Sequence, residues 1–582
     1  MGGGTTVHEA IRLGANVVGA DVDPVPVLQT RAALRLSDGG QKRAIFESLF
    51  QALRDALAAS YRTSCPQCGD TAEAQFILHG LRRRCGCGEA IFVDSLTLRE
   101  GGPGSQVTLS TAGGLAHTEQ HAERRVTVDV ARILTKGQAA CATCGAAFED
   151  VLDEPFPQRY VPLVVVGSCP KHAAFFKSAD AADRERIERA TATAVRADLG
   201  DFGSFAVPGG PKSNDLLRKG VVSFLDLFTA RQLRYLATAL QILPSFPSHD
   251  RLWLALLVST SLEFNCLLCG YKGGDARRPG AIRHVFSHHA YSFPYTALEN
   301  NPVFPFSTSG TLRRLFADRI ERASRWAVAP VERRIAEGRV TSVTIAGEVD
   351  GGEEVPAFEA LQSGSRRFVL VQADARHLAV PDNAVDHVVT DPPYFDSVQY
   401  SDLSSFFRVW LARLLPDEAD WAYDRSASVV VEGKHQAFGR YATAPGAIWR
   451  ECARVLKRPS GRLVFTFHHW SPQAWAELTI SLKRGGFVLV NCYVVASENP
   501  ISVHIRGLKA LKHDVVLVLA PRDAGAHGEA WPKPERFDAQ SSDGFCRACA
   551  EALGWLLSSD VAEETILPLW GRLLCNVAGR DR

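Results

Sequence analysis

The residues of this sequence best suited to chemistry stand side by side in the run Asp391-Pro392-Pro393-Tyr394. A carboxylate and a prolyl carbonyl can both accept hydrogen bonds from an NH2 group, which would hold the amine in line and localise the nitrogen lone pair. The ring of Tyr394 can stack on a flat base beside them. These residue types therefore suit the binding of an amine beside a flat ring, and the alternative is an ordinary Pro-Pro turn with a helix-capping Asp.

The residues ahead of the tetrad predict the strand that would position it. The apolar run from Ala384 to Thr390 is typical of a buried strand. Two consecutive prolines cannot continue a central strand, because each lacks an N–H and has a fixed φ, so the chain must leave the sheet at Asp391. The acid and the ring are thus expected at the carboxyl end of a strand, where open α/β sheets bind ligands.

A second group of candidate binding residues lies at the amino end of the sequence. The run Gly2-Gly3-Gly4 is followed by a helical stretch from His8 to Leu13, an apolar strand from Asn16 to Ala20, and then Asp21. Glycines let a backbone approach a ligand closely, and an acid about twenty residues further on takes ribose hydroxyls in dinucleotide-type βαβ units. The order of these residues predicts half of such a unit.

Fourteen cysteines, most of them in close pairs, are the third candidate for chemistry. No secretory signal opens the sequence, which favours a cytoplasmic location, and paired cysteines there are better explained as metal ligands than as disulfides. Two zinc sites are predicted in chain order, the first a zinc ribbon with a small β-hairpin between its cysteine pairs: Cys65, Cys68, Cys85 and Cys87, then Cys141, Cys144, Cys169 and His172. The alternative is that cysteines only pack, and it is favoured for two other pairs, Cys266 with Cys269 and Cys546 with Cys549.

Length and composition limit the classes of protein. With 582 residues, 46% of them hydrophobic, the chain should hold more than one packed domain. A net charge of +1 means that any affinity for nucleic acid must come from local basic patches. The longest apolar run, near 252–262, is too short and too polar to span a bilayer, so no membrane partner is expected.

Some segments have two possible explanations. The run from Arg82 to Arg84 could contact phosphate or could be a solvated charge run. The aromatic and histidine-rich stretch from His284 to Tyr295 could belong to a base-recognition surface or could simply pack. Helices are predicted over Arg31 to Ser60 and over Thr311 to Arg339.

Together these motifs resemble the adenine-specific DNA methylases that contain a zinc ribbon. The resemblance rests on the glycine run, the cysteine sets, the Asp-Pro-Pro-Tyr loop, and a predicted closing pair of strands over Phe487 to Val495 and Asp514 to Ala520. It implies an α/β fold with a Rossmann-like S-adenosylmethionine methyltransferase sheet, interrupted by inserted zinc-ribbon and helical regions. The implied domains are a cofactor-binding region over residues 1–60, two zinc-ribbon-like sites over residues 61–178, a mainly helical insertion for target recognition over residues 179–360, and a catalytic region over residues 361–582.

The resemblance also implies a role for each site residue. The reaction would be transfer of a methyl group from S-adenosylmethionine to N6 of an adenine flipped out of DNA. The implied catalytic residues are Asp391, Pro392, Pro393 and Tyr394, and the implied cofactor residues are Gly2 and Gly4 along S-adenosylmethionine, Asp21 at its ribose and Asp374 at its adenine end. The cysteine sets would hold zinc.

One departure from the family concerns the start of the glycine loop. Family members normally carry a strand ahead of this loop, whereas Met1 stands inside it, so the first strand of the sheet is expected to be missing. Its absence would weaken both the sheet and cofactor binding, because a central strand pairs on both sides. Three explanations are expected: a misplaced start codon, a truncated gene, or another polypeptide that supplies the segment.

Two rival functions stay open. Guanine-N2 methyltransferases that act on RNA use a similar tetrad, although Asp rather than Ser ahead of Pro-Pro-Tyr leans toward adenine N6. A catalytically impaired, nucleic-acid-binding zinc-ribbon protein would also fit a chain that starts inside its cofactor loop. Roles in restriction, defence against phage and regulation are all compatible with the motifs.

Overall fold

The computed structural model is a mixed α/β protein, and it describes residues 1–37, 41–94, 97–99, 106–110, 114–118, 123–127, 133–135, 137–188, 199–200, 205–272, 281–287, 289–336, 339–393, 400–422, 438–497, 511–522, 531–534, 537 and 541–578. The helices of these residues are α1 (Thr5–Arg12), α2 (Pro24–Leu34), α3 (Lys42–Leu57), α4 (Ala181–Glu188), α5 (Asn214–Arg218), α6 (Ala230–Ile242), α7 (Ser248–Ser261), α8 (Leu312–Leu315), α9 (Arg322–Val328), α10 (Tyr400–Leu414), α11 (Arg440–Val455), α12 (Pro472–Gly485), α13 (Ser542–Ser558) and α14 (Glu563–Ala578).

The strands follow the same chain order. They are β1 (Val17–Asp21), β2 (Arg62–Ser64), β3 (Thr71–Cys85), β4 (Gly88–Val93), β5 (Thr97–Arg99), β6 (Gln106–Ser110), β7 (Gly114–Thr118), β8 (Glu123–Thr127), β9 (Ile133–Thr135), β10 (Glu149–Asp150), β11 (Tyr160–Cys169), β12 (Ala173–Ser178), β13 (Gly270–Lys272), β14 (Ala281–Arg283), β15 (Thr296–Asn300), β16 (Val331–Ala336), β17 (Arg339–Thr344), β18 (Glu353–Glu354), β19 (Arg367–Gln372), β20 (His387–Thr390), β21 (Arg462–Phe467), β22 (Phe487–Ala496) and β23 (His513–Pro521).

The chain folds into two compact units that are discontinuous in sequence. Unit 1 contains Met1–Arg35, Val328–Ser401 and Ala419–Arg582. Unit 2 contains Leu36–Ala327 and Asp402–Glu418. The glycine run and the tetrad, which are separated by almost 400 residues, therefore belong to the same unit.

The first sheet of unit 1 is parallel and has the order β1-β19-β18. Its central strand β19 is buried on both faces, because Phe368, Val369 and Leu370 are all buried in succession, as expected for a parallel strand. Phe368 and Leu370 of β19 pack against helices α1 and α2 through a small core of Val7, Ile11, Val27 and Leu34. The parallel pairing brings the carboxyl ends of β1 and β19 to one edge of the sheet.

The second sheet of unit 1 has the order β20-β21-β23-β22. Strand β20 runs parallel to β21, and β23 runs antiparallel to both β21 and β22. The predicted closing pair of strands is thus confirmed. In β21 Leu463, Phe465 and Phe467 are buried, whereas the alternate residues Val464 and Thr466 are half-buried on the opposite face.

The strands that the structure describes in unit 1 lie in three separate sheets, the two above and the hairpin β16–β17, whereas the sequence predicts one. Among the described residues no strand pairs with the second edge of β1 or with the second edge of β20. Val389 on β20 is 51% exposed, which is high for an apolar residue in a parallel strand, because parallel strands are normally covered on both faces.

Unit 2 is organised around β3, which is fifteen residues long. The sheet that contains β3 has the main order β12-β11-β3-β15-β13-β14; β2, β4 and β10 also pair with β3, and β9 pairs with β4. Strands β5, β6, β7 and β8 form a separate antiparallel sheet. At about 3.3 Å per residue β3 is about 45 Å long. Segments that pair with opposite ends of β3 are therefore far apart.

Two of the predicted helices are wrong in part. The helix predicted over Arg31 to Ser60 starts earlier and is divided, because Asp23 caps a helix with proline at its first position and α2 ends at Leu34. The helix predicted over Thr311 to Arg339 ends at Val328, because Pro330 cannot continue it. The β-branched alternation beyond this proline forms the hairpin β16–β17.

Candidate functional site

Asp391 lies directly after β20, at the carboxyl end of a parallel strand, as the sequence predicts. Its side chain is exposed, and Pro392 and Pro393 are half-buried as the chain leaves the sheet. The register pairs Thr390 with Phe465, which brings the next residue, Thr466, beside the acid. The Thr466 hydroxyl donates a hydrogen bond to Asp391 Oδ1. Tyr394, the last residue of the tetrad, is outside the described residues.

Further polar groups lie at the end of β21, the strand that pairs with β20. His468 Nδ1 pairs with the carboxylate of Asp514, which lies on β23. Trp470 is 39% exposed. Neither Thr466 nor Asp514 has a sequence signal of its own, because each reaches the site through strand register.

The glycine run and Asp21 come together, as predicted. The Asp21 carboxylate accepts hydrogen bonds from the Met1 ammonium at 2.9 Å, from Gly2 N at 3.4 Å and from Asp23 N at 3.0 Å. Gly4 N donates to the Met1 carbonyl at 3.0 Å. The loop is thus closed onto the end of β1.

The backbone of this loop requires glycine at one position and leaves room at another. Gly4 has a φ of 85°, and a Cβ there would lie 2.5 Å from Thr30 Oγ1. This hydroxyl is buried and has no hydrogen-bond partner in the part of the chain that the structure describes. No atom of the described residues lies within 4 Å of the place where a Gly2 Cβ would be. A ligand could therefore approach the outer side of the loop closely.

Asp374 lies close to the end of β19, and a backbone bond from Ala373 N to Asp21 O at 2.9 Å joins it to the end of β1. Its carboxylate accepts two hydrogen bonds from Arg376 Nε, at 3.0 and 2.8 Å. This guanidinium lowers the pKa of Asp374 below its usual value, against the smaller opposing effect of burial. Asp21 and Asp374 thus share one edge, whereas Asp391 belongs to the second sheet.

The eight predicted metal ligands form two clusters of four in unit 2, but the predicted partition between the clusters is wrong. Cluster A contains Cys65, Cys68, Cys169 and His172, and cluster B contains Cys85, Cys87, Cys141 and Cys144. The first cysteine pair thus meets the fourth pair along the chain, and the second pair meets the third. The residues between Cys68 and Cys85 form one long strand instead of the predicted hairpin.

Strand pairing explains this partition. Cys68 precedes β3 and Cys85 is its last residue, so about 45 Å of strand separates the two. Strand β11 is antiparallel to β3, and its end at Cys169 lies beside the start of β3. Strand β10 pairs Glu149 with Arg84, which brings the neighbouring cysteine turn to the far end.

Both clusters have dimensions that suit a tetrahedral ion. The ligand atoms of each lie within 4.8 Å of one another. Cys65 Sγ is 3.6 Å from His172 Nδ1, and Cys87 Sγ is 3.5 Å from Cys141 Sγ. Zinc with Zn–S bonds of about 2.3 Å separates its ligand atoms by roughly 3.5 to 3.8 Å. Four thiolate or imidazole ligands fill all positions, which is typical of a structural site.

Local backbone geometry prepares the thiols for metal. In both Cys-x-x-Cys-Gly turns a glycine N–H donates to the first cysteine's carbonyl, at 2.9 Å for Gly69 and 2.8 Å for Gly145. Burial opposes ionisation of Cys65, yet hydrogen bonds from neighbouring backbone N–H groups outweigh it and lower its pKa to about 6. A backbone N–H group likewise lowers the pKa of Cys144. Each cluster therefore has one thiol disposed to the thiolate form that binds metal.

The remaining cysteine pairs are buried, whereas the histidine-rich stretch is buried only in part. Cys266 and Cys269 are fully buried, as are Cys546 and Cys549 on α13. In the stretch from His284 to Tyr295, where residue 288 is outside the described residues, Tyr291 is only 4% exposed.

No protein-family model matches the sequence, and comparisons with curated proteins and with solved structures give no match. Among the helices that the structure describes, none is long and apolar enough to cross a membrane.

Proposed function

We propose that this chain is an S-adenosylmethionine-dependent methyltransferase that modifies the exocyclic amine of a base, with N6 of adenine in DNA as its first substrate. The observation that carries the proposal is the position of Asp391. An exposed carboxylate at the carboxyl end of a parallel strand, followed by two prolines that turn the chain outward, leaves hydrogen-bond acceptors facing solvent. An amine needs such acceptors for its two hydrogens while its nitrogen lone pair attacks the methyl group.

The chain's own groups have defined roles in the proposed reaction. Asp391 accepts a hydrogen bond from one amine hydrogen, and the Pro392 carbonyl accepts from the other. The hydroxyl of Thr466 holds Asp391 through Oδ1, which orients the carboxylate for the amine. Tyr394 stacks on the base after it leaves its helix.

The glycine loop and Asp21 would hold the cofactor, which supplies an electrophilic methyl group when bound. Support for this assignment comes from the open space outside Gly2, the left-handed Gly4, and an acid at the end of β1. A bound ribose would take the place of the Met1 ammonium as a hydrogen-bond donor to the Asp21 carboxylate. Asp374 would meet the adenine end together with Arg376.

Two structural zinc ions complete the proposal, one in cluster A and one in cluster B. Their role is to fix the two ends of β3 in unit 2.

The open edges of β1 and β20 suggest a polypeptide partner. We propose that another polypeptide adds a parallel strand there, since strand edges without a partner among the described residues and an exposed Val389 favour strand addition. Added backbone bonds would order the segments that carry Asp21 and Asp391.

Product analysis tests the function. The chain is incubated with methyl-labelled S-adenosylmethionine and either purified DNA or purified RNA, and the nucleosides are separated. N6-methyladenine in DNA is expected. N2-methylguanine in RNA would establish the rival RNA enzyme, and binding of DNA without any transfer would favour a non-catalytic module.

A further inference from the structure

A cavity of about 120 Å³ in unit 2 belongs to neither the predicted catalytic loop nor the metal clusters. It is about ten times the space that one ordered water needs, so it can hold a larger group. Four of its lining side chains are cations and one is an acid: Arg82, Arg83, Arg159 and Lys219, with Asp150.

The single lining acid is shared between two of the cations. Asp150 is 3.3 Å from Arg83 Nε and also binds Lys219 Nζ. Arg82 is paired with Glu154 outside the cavity. The lining thus carries more positive charge than its own acid can balance.

Arg159 is the least compensated of these cations. It is only 4% exposed, and its bonds run to backbone carbonyls, from Nε to Glu154 O at 2.9 Å and from Nη1 to Lys219 O at 2.6 Å. No carboxylate of the described residues lies within ion-pair distance of it. A buried guanidinium without an acid is costly, which favours an anion as its natural partner.

Aromatic rings form the rest of the wall. The Arg159 guanidinium lies 5.5 Å from the centre of the Phe156 ring, and Lys219 Nζ lies 5.9 Å from the centre of the Phe293 ring. The two rings meet edge to face at 5.9 Å. This combination suits a ligand that carries both an anionic group, for the cations, and a flat ring, for the aromatic side chains.

We propose that this cavity binds the phosphate and adjoining ring of one nucleotide. The phosphate takes Arg83, Arg159 and Lys219, and the ring lies against Phe156 and Phe293. The proposal rests on the proposed function only in taking a nucleic-acid strand as the source of the nucleotide, and a free nucleotide has the same chemistry.

The cavity and cluster B lie at the same end of β3. Arg83 pairs with Asp150 in the register of β3 with β10. Strand β3 ends at Cys85 of cluster B, and Cys144 of the same cluster precedes β10 by five residues. Removal of zinc by a chelator should therefore weaken nucleotide binding as well.

Binding is measured with the zinc-loaded full chain at low salt, without S-adenosylmethionine. The probes are a fluorescent single-stranded oligonucleotide, a nucleoside monophosphate, the matching nucleoside and inorganic phosphate. The monophosphate should bind at least about tenfold more tightly than the nucleoside, and stronger binding of the oligonucleotide would identify a strand as the source. Binding of the monophosphate alone would identify a free nucleotide.

Three variants make the test specific. Lys219→Gln and Arg83→Gln should each weaken binding about tenfold and lower its salt dependence by about one ion. Arg84→Gln is the matched control, because this neighbouring arginine does not line the cavity and is exposed. Zinc content and circular dichroism establish that each variant is folded.

Two outcomes would overturn the proposal. One is equal weakening by Arg84→Gln and Arg83→Gln, which would mean a diffuse basic surface, and the other is equal binding of nucleoside and monophosphate. Methyl transfer is measured separately on the same preparations. An Asp391→Ala chain should keep this binding, so failure of the methyltransferase proposal and failure of the cavity proposal are distinguishable.

Discussion

At the residue scale, the hydrogen bond from Thr466 to Asp391 is one feature of the candidate site that the sequence does not reveal. Thr466→Val removes the donor and keeps the shape of the side chain. A hydrogen bond to a charged group contributes about 1.5–3 kcal/mol, so the rate of methyl transfer should fall about tenfold or more. Initial rates with labelled cofactor measure this, and Thr466→Ser, which retains the hydroxyl, should stay close to wild type. Equal rates for the Val and wild-type chains would exclude an orienting role.

The buried carboxylate of Glu299 predicts how the stability of unit 2 depends on pH. This carboxylate is fully buried and accepts hydrogen bonds from His79 Nε2 at 2.9 Å, from Thr229 Oγ1 at 2.9 Å and from Arg231 Nε at 2.8 Å. Burial would raise its pKa, but the charge of Arg231 and the His79 bond outweigh burial and lower the pKa from 4.5 to about 2. The carboxylate therefore stabilises the fold above pH 4.5, and this stabilisation is lost as pH falls from 4.5 toward 2.

Chemical denaturation across this pH range tests the prediction. Glu299→Gln should lower the free energy of unfolding at neutral pH by about 3 kcal/mol and flatten its decline in acid. Glu47→Gln, which removes a half-exposed carboxylate of the same unit, should leave the decline unchanged. An unaltered acid slope in Glu299→Gln would contradict the assignment.

At the scale of elements, the strands could be predicted where one chain segment carries its own pattern. The alternation of Leu463, Phe465 and Phe467 gives β21, and the paired prolines give the end of β20. The eight metal ligands could be predicted from the sequence, but which four of them form each cluster could not. Ligand spacing is local, whereas the sets depend on which ends of β3 and β11 lie side by side. Thr466 escaped prediction for the same reason.

Double substitutions test the two clusters directly. Cys65→Ala with Cys169→Ala removes two ligands of cluster A, so about one zinc per chain should remain in cluster B. Cys65→Ala with Cys85→Ala damages both clusters, so the zinc content should fall toward none. Elemental analysis of the purified chains measures this. Loss of both zinc ions in the first variant and of one in the second would contradict these clusters and support the sets predicted in chain order.

At the scale of the whole molecule, proposed transfer chemistry and metal binding belong to different units. Asp21, Asp374 and Asp391 lie in unit 1, whereas both clusters and the nucleotide cavity lie in unit 2. The segment Asp402–Glu418, which follows the tetrad closely, belongs to unit 2. The chain thus passes from one unit to the other just beyond the proposed catalytic loop.

The most direct test of the proposed reaction compares two acids of one strand region. Asp391 follows β20, and Asp386 precedes it, exposed and paired with Lys457 Nζ at 2.8 Å. Initial rates of methyl transfer to DNA are measured for Asp391→Ala and Asp386→Ala, with cofactor affinity measured alongside. We expect Asp391→Ala to lose about 100-fold or more in rate at unchanged cofactor affinity, and Asp386→Ala to retain wild-type rates. Wild-type turnover by Asp391→Ala would contradict the proposed function.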